Sequence, residues 1–238
     1  MKVRVIGSGS IWNEYNSASY LLDDDTIIDC PNGMCKYLLR QGITPKNISN
    51  VLITHFHGDH CFDIPFYLLI KSRGEGKNVN IYCSSDGKRR VDKLLSLAFP
   101  NSGVNIYKEL NIKYSSKKEF KINNYKVSKC LVDHGNMHPA YGYLIKGKNK
   151  VIGFTGDTTY CKGLEYLASK CDYLFTDCMF INSTDKHMGI DKLHILLNNN
   201  PNCTFVVSHL ENETRKELKK LKLDRVIIPE DGYEIEVE

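Results

Sequence analysis

The chain has 238 residues, 42% hydrophobic and 25% charged, an ordinary composition for a folded globular protein. That length buries a large core without subdivision, and residues 1–238 read as a single domain. The formal net charge of +4 is too small to argue for nucleic-acid binding by itself, and the short basic runs Lys88-Arg89-Arg90 and Lys117-Lys118 read as solvated surface.

Strand signals come first and recur along the whole chain. Lys2–Ile6, Ser19–Leu22, Thr26–Asp29, Asn50–Thr54 and Asn78–Tyr82 are short runs rich in Val, Ile and Tyr, bounded by Gly, Asn, Asp and Lys turns. Helical stretches fall among them at Gly33–Gln41, Phe62–Lys71 and Gly87–Phe99. Strands are expected next at Tyr125–Cys130, Gly142–Lys146 and Val151–Thr155. A helix follows at Lys162–Ser169, then a strand at Tyr173–Thr176, a helix at Met188–Asn198 and a strand at Thr204–Ser208. Asn212–Leu221 has the charged face of a surface helix, with Leu218 and Leu221 expected inward. A strand at Arg225–Pro229 and an edge strand after the Asp231-Gly232 turn close the chain. No Pro/Gly/Ser-rich linker divides it. Many strands with helices interspersed imply a layered α/β domain, sheets inside and helices outside.

Nine cysteines, an odd number spread through a mid-sized chain, do not form a disulfide framework. Cys30 and Cys35 have no second cysteine pair at matching spacing and read as buried small side chains rather than a metal knuckle. The segment from Met1 to Gly7 is interrupted too soon for a signal-peptide core, and no stretch reaches the roughly 18 apolar residues of a membrane helix. The expectation is a cytoplasmic protein with reduced thiols and no membrane partner.

The segment Val51-Leu52-Ile53-Thr54-His55-Phe56-His57-Gly58-Asp59-His60 carries the chemistry. An apolar strand runs directly into three histidines and an aspartate. Alternation puts His55 and His57 on one side, and the Gly58 bend turns Asp59 and His60 toward a neighbouring point. Imidazole and carboxylate are the ligands that a borderline-soft cation such as zinc accepts. A chance run of surface histidines has no reason to end a buried strand.

This segment resembles the H-x-H-x-D-H signature of the metallo-β-lactamase fold superfamily. The remaining elements of that pattern stand in order after further strands: Asp133-His134-Gly135, Thr155-Gly156-Asp157-Thr158 and His209, with Asp29 as the early bracing aspartate. The resemblance covers almost the whole chain and implies a four-layer αββα sandwich (an α+β, layered α/β class). It further implies that His55, His57 and His134 hold one metal, that Asp59, His60 and His209 hold a second, and that Asp157 bridges them. Two divalent cations follow, zinc by ligand type, with manganese or iron able to use the same cage. A bridging water made acidic by both ions would be the hydrolytic nucleophile, and Asp59 could orient it or accept its proton.

Within the superfamily the chain is similar to the branch of ribonuclease Z and small phosphodiesterases. The shared features are Ala140-Tyr141-Gly142-Tyr143-Leu144-Ile145, the Gly156-Asp157-Thr158 turn, and His187-Met188-Gly189 between Asp157 and His209. By that resemblance His187 is the general acid, and Asp177 orients it. Two departures stand out. Thr176-Asp177-Cys178-Met179 keeps only the acidic residue of the His-Glu-Ala-Thr element, and residues 135–156 leave no room for the long arm with which tRNA-processing members grip their substrate. A small phosphodiester or an RNA end is therefore the expected substrate, and folded tRNA is not. Members of this branch are often dimers, so a homodimer is the implied assembly, although no dimer face is legible. Tyr160, three residues after Asp157, supports a lactonase as the alternative. A metal-bound sensor or binding module is the alternative outside enzymes. His138 reads as pocket wall or as without a role, and His194 as a structural or surface histidine within a helix.

Overall fold

A computed structural model of the chain describes residues 1–101 and 103–237. Two seven-stranded sheets form its centre. The first contains β1 (Lys2–Gly7), β2 (Ser19–Leu22), β3 (Thr26–Ile28), β4 (Asn50–Leu52), β5 (Asn78–Tyr82) and β6 (Asn111–Ser115) side by side. The second contains β7 (Glu119–Ile122), β8 (Tyr125–Val132), β9 (Ala140–Lys146), β10 (Val151–Phe154), β11 (Tyr173–Asp177), β12 (Thr204–Ser208) and β13 (Val226–Ile227). The last strand, β14 (Glu234–Glu236), returns to pair antiparallel with β1 in the first sheet.

Alternation decides the layers. Val3, Val5, Tyr20, Leu22, Ile28 and Leu52 of the first sheet meet Val127, Tyr143, Ile145, Ile152, Phe154, Phe175 and Val206 of the second in one apolar core between the sheets. The intervening residues point the other way. Ile6, Leu21, Ile27 and Val51 pack under the helices of the first sheet, and Leu144, Leu174, Phe205 and Val207 under those of the second. Strands that are apolar on both faces bury both, and each large side chain so enclosed contributes about 1.5–3 kcal/mol before chain entropy is counted. On the first sheet lie α1 (Met34–Arg40), the single turn α2 (Gly58–Cys61), α3 (Ile64–Ser72), α4 (Gly87–Ala98) and α5 (Gly103–Glu109). On the second lie α6 (Lys162–Lys170), α7 (Ile190–Asn199) and α8 (Asn212–Leu221). The result is the expected αββα sandwich.

Each sheet is antiparallel in one half and parallel in the other. β3 to β6 run parallel, as do β10 to β13. Parallel strands bring their carboxyl ends to one rim, and at that rim the loops after β3, β4, β10, β11 and β12 converge, joined by the loop after β8.

Elements absent from the sequence reading include β6, β7, α5 and the short turn α2. β6 and β7 are the adjoining edge strands of the two sheets, and their lysines and serines dilute the apolar alternation. Strand β8 runs to Val132, directly before Asp133 and His134. Helix α8 turns Leu218 inward, but Leu221 is 40% exposed because the last turn overhangs solvent.

Candidate metal centre

Strand β4 ends at Leu52, and the extended chain that follows delivers His55 and His57 to the rim before α2 carries Asp59 and His60 over it. His134 arrives on the loop after β8, Asp157 after β10 and His209 after β12. Two bends shape these arrivals. Asp29 and His209 both sit at φ of 59°, a left-handed conformation that costs a non-glycine residue about 1–2 kcal/mol and that packing must hold in place.

The side chains form two quartets that share one carboxylate: His55, His57, His134 and Asp157, and Asp59, His60, Asp157 and His209. His57 Nδ1 lies 3.1 Å from both His55 Nε2 and His134 Nε2. Asp157 Oδ2 is 3.8 Å from each of those Nε2 atoms and 3.3 Å from His209 Nε2. Asp157 Oδ1 is 3.2 Å from His60 Nε2, and Asp59 Oδ2 is 3.3 Å from His209 Nε2. Apart from the half-buried His57 and Asp59, these residues are buried. A single ring N–H can bridge only one of the two 3.1 Å gaps at His57, so the remaining lone pairs face one another where a cation could sit.

The opposite nitrogens are tied down in a way that fixes the tautomers. Thr54 donates its backbone N–H and its hydroxyl to Asp29, at 2.8 and 2.7 Å. With that hydroxyl proton committed, the Thr54 oxygen is left to accept from His55 Nδ1 at 3.1 Å. His60 Nδ1 donates to Asp29 at 2.8 Å, and His134 Nδ1 donates to the Lys186 carbonyl at 2.9 Å. Each arrangement frees Nε2 to offer its lone pair to a metal. His60 Nε2 is buried and has no hydrogen-bond partner, an orphaned atom aimed into the second quartet. The donor set therefore fits divalent cations. Burial and the neighbouring His60 hold the His55 imidazole well below its ordinary range. Burial would raise the Asp157 carboxyl, but the charges of His209 and His60 override it and hold Asp157 well below the carboxylate range.

A cleft of about 360 Å³ opens over the quartets, and His187 lines it. Asp177 Oδ2 accepts from His187 Nδ1 at 2.8 Å. The same carboxylate accepts the N–H groups of Thr158 at 3.0 Å and Met179 at 2.9 Å, so Asp177 is held from three sides. Burial alone would lower the His187 pKa, but the Asp177 charge and hydrogen bond outweigh it and raise the value. Asp177, His187 and His209 form a third close group that joins the second quartet at His209.

Not every residue singled out from sequence reaches the cleft. Tyr160 donates its hydroxyl to Glu165 at 2.6 Å and packs with the cluster under α6 and α7, so the lactonase reading loses the residue that suggested it. His138 and His194 are exposed and line no part of the cleft. Residues that the sequence reading passed over do line it: Ile11, Trp12, Met179 and Lys186. A lone tryptophan after a Gly-Ser-Gly-Ser turn was the available signal for the first two.

The model of the family described as anti-Pycsar protein Apyc1 matches residues 1–226. The chain belongs to this family. A ribonuclease Z of Macrococcus caseolyticus (strain JCSC5402) is 23% identical to this Apyc1-family chain over 287 residues, spanning 93% of the chain and 92% of that protein. The metallo-β-lactamase fold protein YhfI of Bacillus subtilis superposes with a TM-score of 0.79 at 17% identity, covering 98% of each chain. A diphosphatase of the PhnP family superposes with a TM-score of 0.78 at 18% identity, covering 100% of this chain and 98% of the other. The fold is that of the metallo-β-lactamases, and its His/Asp cluster offers the donor types and spacing that could hold divalent metal. No helix among the described residues is long and apolar enough to cross a membrane.

Proposed function

We propose that this Apyc1-family chain is a two-metal phosphodiesterase acting on a small phosphodiester or an RNA end. One observation carries the reading: two ligand quartets share Asp157, and the His187–Asp177 pair stands over the same cleft. His55, His57 and His134 would hold one ion, Asp59, His60 and His209 the other, and Asp157 both. Zinc matches the donor set best, and manganese or iron can use the same ligands. Bound there, the ions would supply the Lewis acidity that turns water into a nucleophile at neutral pH and that offsets charge on the phosphoryl oxygens.

The chain's own residues do the rest. Asp59, partly exposed at the cleft floor, accepts the proton of the attacking water. His187, whose Nδ1 donates to Asp177 and whose pKa that carboxylate raises, gives a proton to the leaving oxygen. Lys186 lines the same cleft and could bring a positive charge toward the phosphate. Size supports a small substrate. Residues 135–156 form a short loop, β9, a tight turn and β10, with no projecting arm to grip a folded RNA.

The test is hydrolysis of bis(p-nitrophenyl) phosphate beside a simple lactone, using metal-analysed protein with and without chelator. The expected result is two ions per chain and phosphodiester cleavage that chelator abolishes and added zinc or manganese restores. Cleavage of the lactone alone would make the chain a carbon–oxygen hydrolase. Two tightly held ions with no turnover of either compound would make it a binding protein.

A further inference from the structure

Trp12 is the one tryptophan of the chain, and 73% of it is exposed. Beside it, Ile11 is 56% exposed. Exposed apolar side chains are common, so the cleft that Trp12 lines, not its exposure alone, gives it meaning. Its position is specific. Trp12 lines the 360 Å³ cleft over the metal quartets and also a second cleft of about 740 Å³ next to it. It is therefore the wall between the reacting centre and an adjoining space.

The loop that carries Trp12 is pinned. Ser10 is buried, and its hydroxyl accepts the Trp12 N–H at 3.1 Å while donating to Glu211 at 2.5 Å. Asn13 donates its side-chain amide to the Leu210 carbonyl at 2.5 Å and accepts the Tyr15 N–H at 3.1 Å. Leu210 and Glu211 directly follow the ligand residue His209. One short segment thus anchors both a metal-ligating imidazole and the tryptophan, fixing their spacing before any substrate arrives. A solvated loop tip gains nothing from such bracing, whereas a recognition surface loses less entropy on binding because of it.

The adjoining cleft has the chemistry of a heteroaromatic ring's environment. Phe180 and Ile181 supply apolar wall, and Asn182, Glu211 and Glu213 supply amide and carboxylate groups at the rim. Amides and carboxylates pair with ring N–H groups and exocyclic amines.

We propose that Trp12 is a specificity-determining stacking platform, on which the substrate's nucleobase lies with its edge toward Asn182 and Glu213 while its phosphate sits over the metal quartets. This role presumes that the cleft takes a phosphate ester, as proposed above, and the two ideas fail separately.

The test uses metal-loaded protein with adenosine 5′-monophosphate and ribose 5-phosphate as probes, on wild type, Trp12→Ala and Trp12→Phe. Because Trp12 is the sole tryptophan, wild-type emission reports on this position alone. The nucleotide should quench it. By calorimetry, wild type should bind the nucleotide about tenfold tighter than ribose 5-phosphate, the order expected for one base–aromatic stack. Trp12→Ala should lose about that factor for the nucleotide and none for ribose 5-phosphate, while Trp12→Phe keeps most of it. The proposal falls if wild type binds both probes equally, if neither binds, or if Trp12→Ala weakens both alike. It also falls if emission follows protein concentration rather than nucleotide, which would make Trp12 a contact between copies of the chain. Stacking of the nucleotide in a preparation that cleaves no phosphodiester would keep the platform and remove the hydrolytic reading.

Discussion

Asp177 and His187 are joined by a 2.8 Å hydrogen bond from imidazole Nδ1 to carboxylate, and that bond leaves the far side of the ring to the cleft over the metal quartets. A histidine whose pKa is raised by a carboxylate on its far nitrogen is suited to meet a developing negative charge. His187→Ala should cut phosphodiester turnover by about 10²–10⁴-fold, the usual weight of a general acid. The metal content should not change, because His187 belongs to neither quartet with Asp157. The loss should also depend on the leaving group. An alkoxide needs the proton and p-nitrophenolate needs it far less, so the variant should lose more on an alkyl ester than on bis(p-nitrophenyl) phosphate. Equal losses on both would remove His187 from the role of acid.

Asp29 touches no metal position, yet it holds both His60 and Thr54, and through Thr54 it reaches His55. It therefore braces one ligand of each quartet. Asp29→Asn suits the left-handed backbone at φ of 59°, since asparagine adopts that region readily, but removes the charge that His60 faces. Metal affinity should fall about 10–100-fold, as is typical when an outer partner of a ligating histidine is lost. Competition with a chromophoric chelator measures this directly. Unchanged affinity would show that packing alone orients the two rings.

The metal-free protein should take up protons that metal then expels. Burial would lower the pKa of His209, but Asp157 and the Asp59 hydrogen bond outweigh it and push the value up to about 9. His60 is likewise raised, burial being outweighed by the charges of Asp157 and Asp29. Both folded values lie above the unfolded value of about 6.5. The stability they contribute is complete below about pH 6.5 and is lost as pH rises through the folded values. Without metal, the protein should therefore weaken between about pH 6.5 and 9. A ligating histidine must give up its Nε2 proton, so zinc binding near pH 7.5 should release a proton from each of the two residues. Calorimetry in buffers of different ionisation enthalpy reads that number. Binding with no proton release would mean that both rings are already neutral.

Much of the candidate centre was legible from sequence because most of its residues come soon after an apolar strand, and a strand end is a fixed point in a layered fold. His55, His57, Asp59, His60, His134, Asp157 and His209 all converge at one rim. His187 was legible from its place in chain order, but its bond to Asp177 was not derivable from spacing, since it depends on how the loop after β11 folds back. Tyr160 misled for the opposite reason. Its place near Asp157 was suggestive, but the start of α6 turns it toward Glu165. Trp12 offered only its place after the Gly-Ser-Gly-Ser turn, because loop residues carry no periodicity, and the contacts of Ser10 and Asn13 with the segment after β12 show what the loop faces. The edge strands β6 and β7 escaped because their exposed lysines mask alternation, a feature that also discourages edge-to-edge pairing.

Gly156 links the fold to the site more tightly than any of the ligands' own side chains. It precedes Asp157, sits at φ of 61°, and a Cβ there would stand 2.6 Å from Thr54 Cβ. Thr54 in turn holds Asp29 and His55. Gly156→Ala therefore combines left-handed strain with a clash against the residue that braces both quartets, and no flexible side-chain end is available to yield. The expected cost is about 1–3 kcal/mol. In a protein of this size that corresponds to a fall in Tm of about 2–4 °C per kcal/mol. Because the clash pushes Thr54 and Asp157 apart, metal affinity should drop along with stability. A variant that melted lower yet bound both ions at wild-type affinity would separate the two effects, and the Gly156 turn would then be a requirement of the backbone alone.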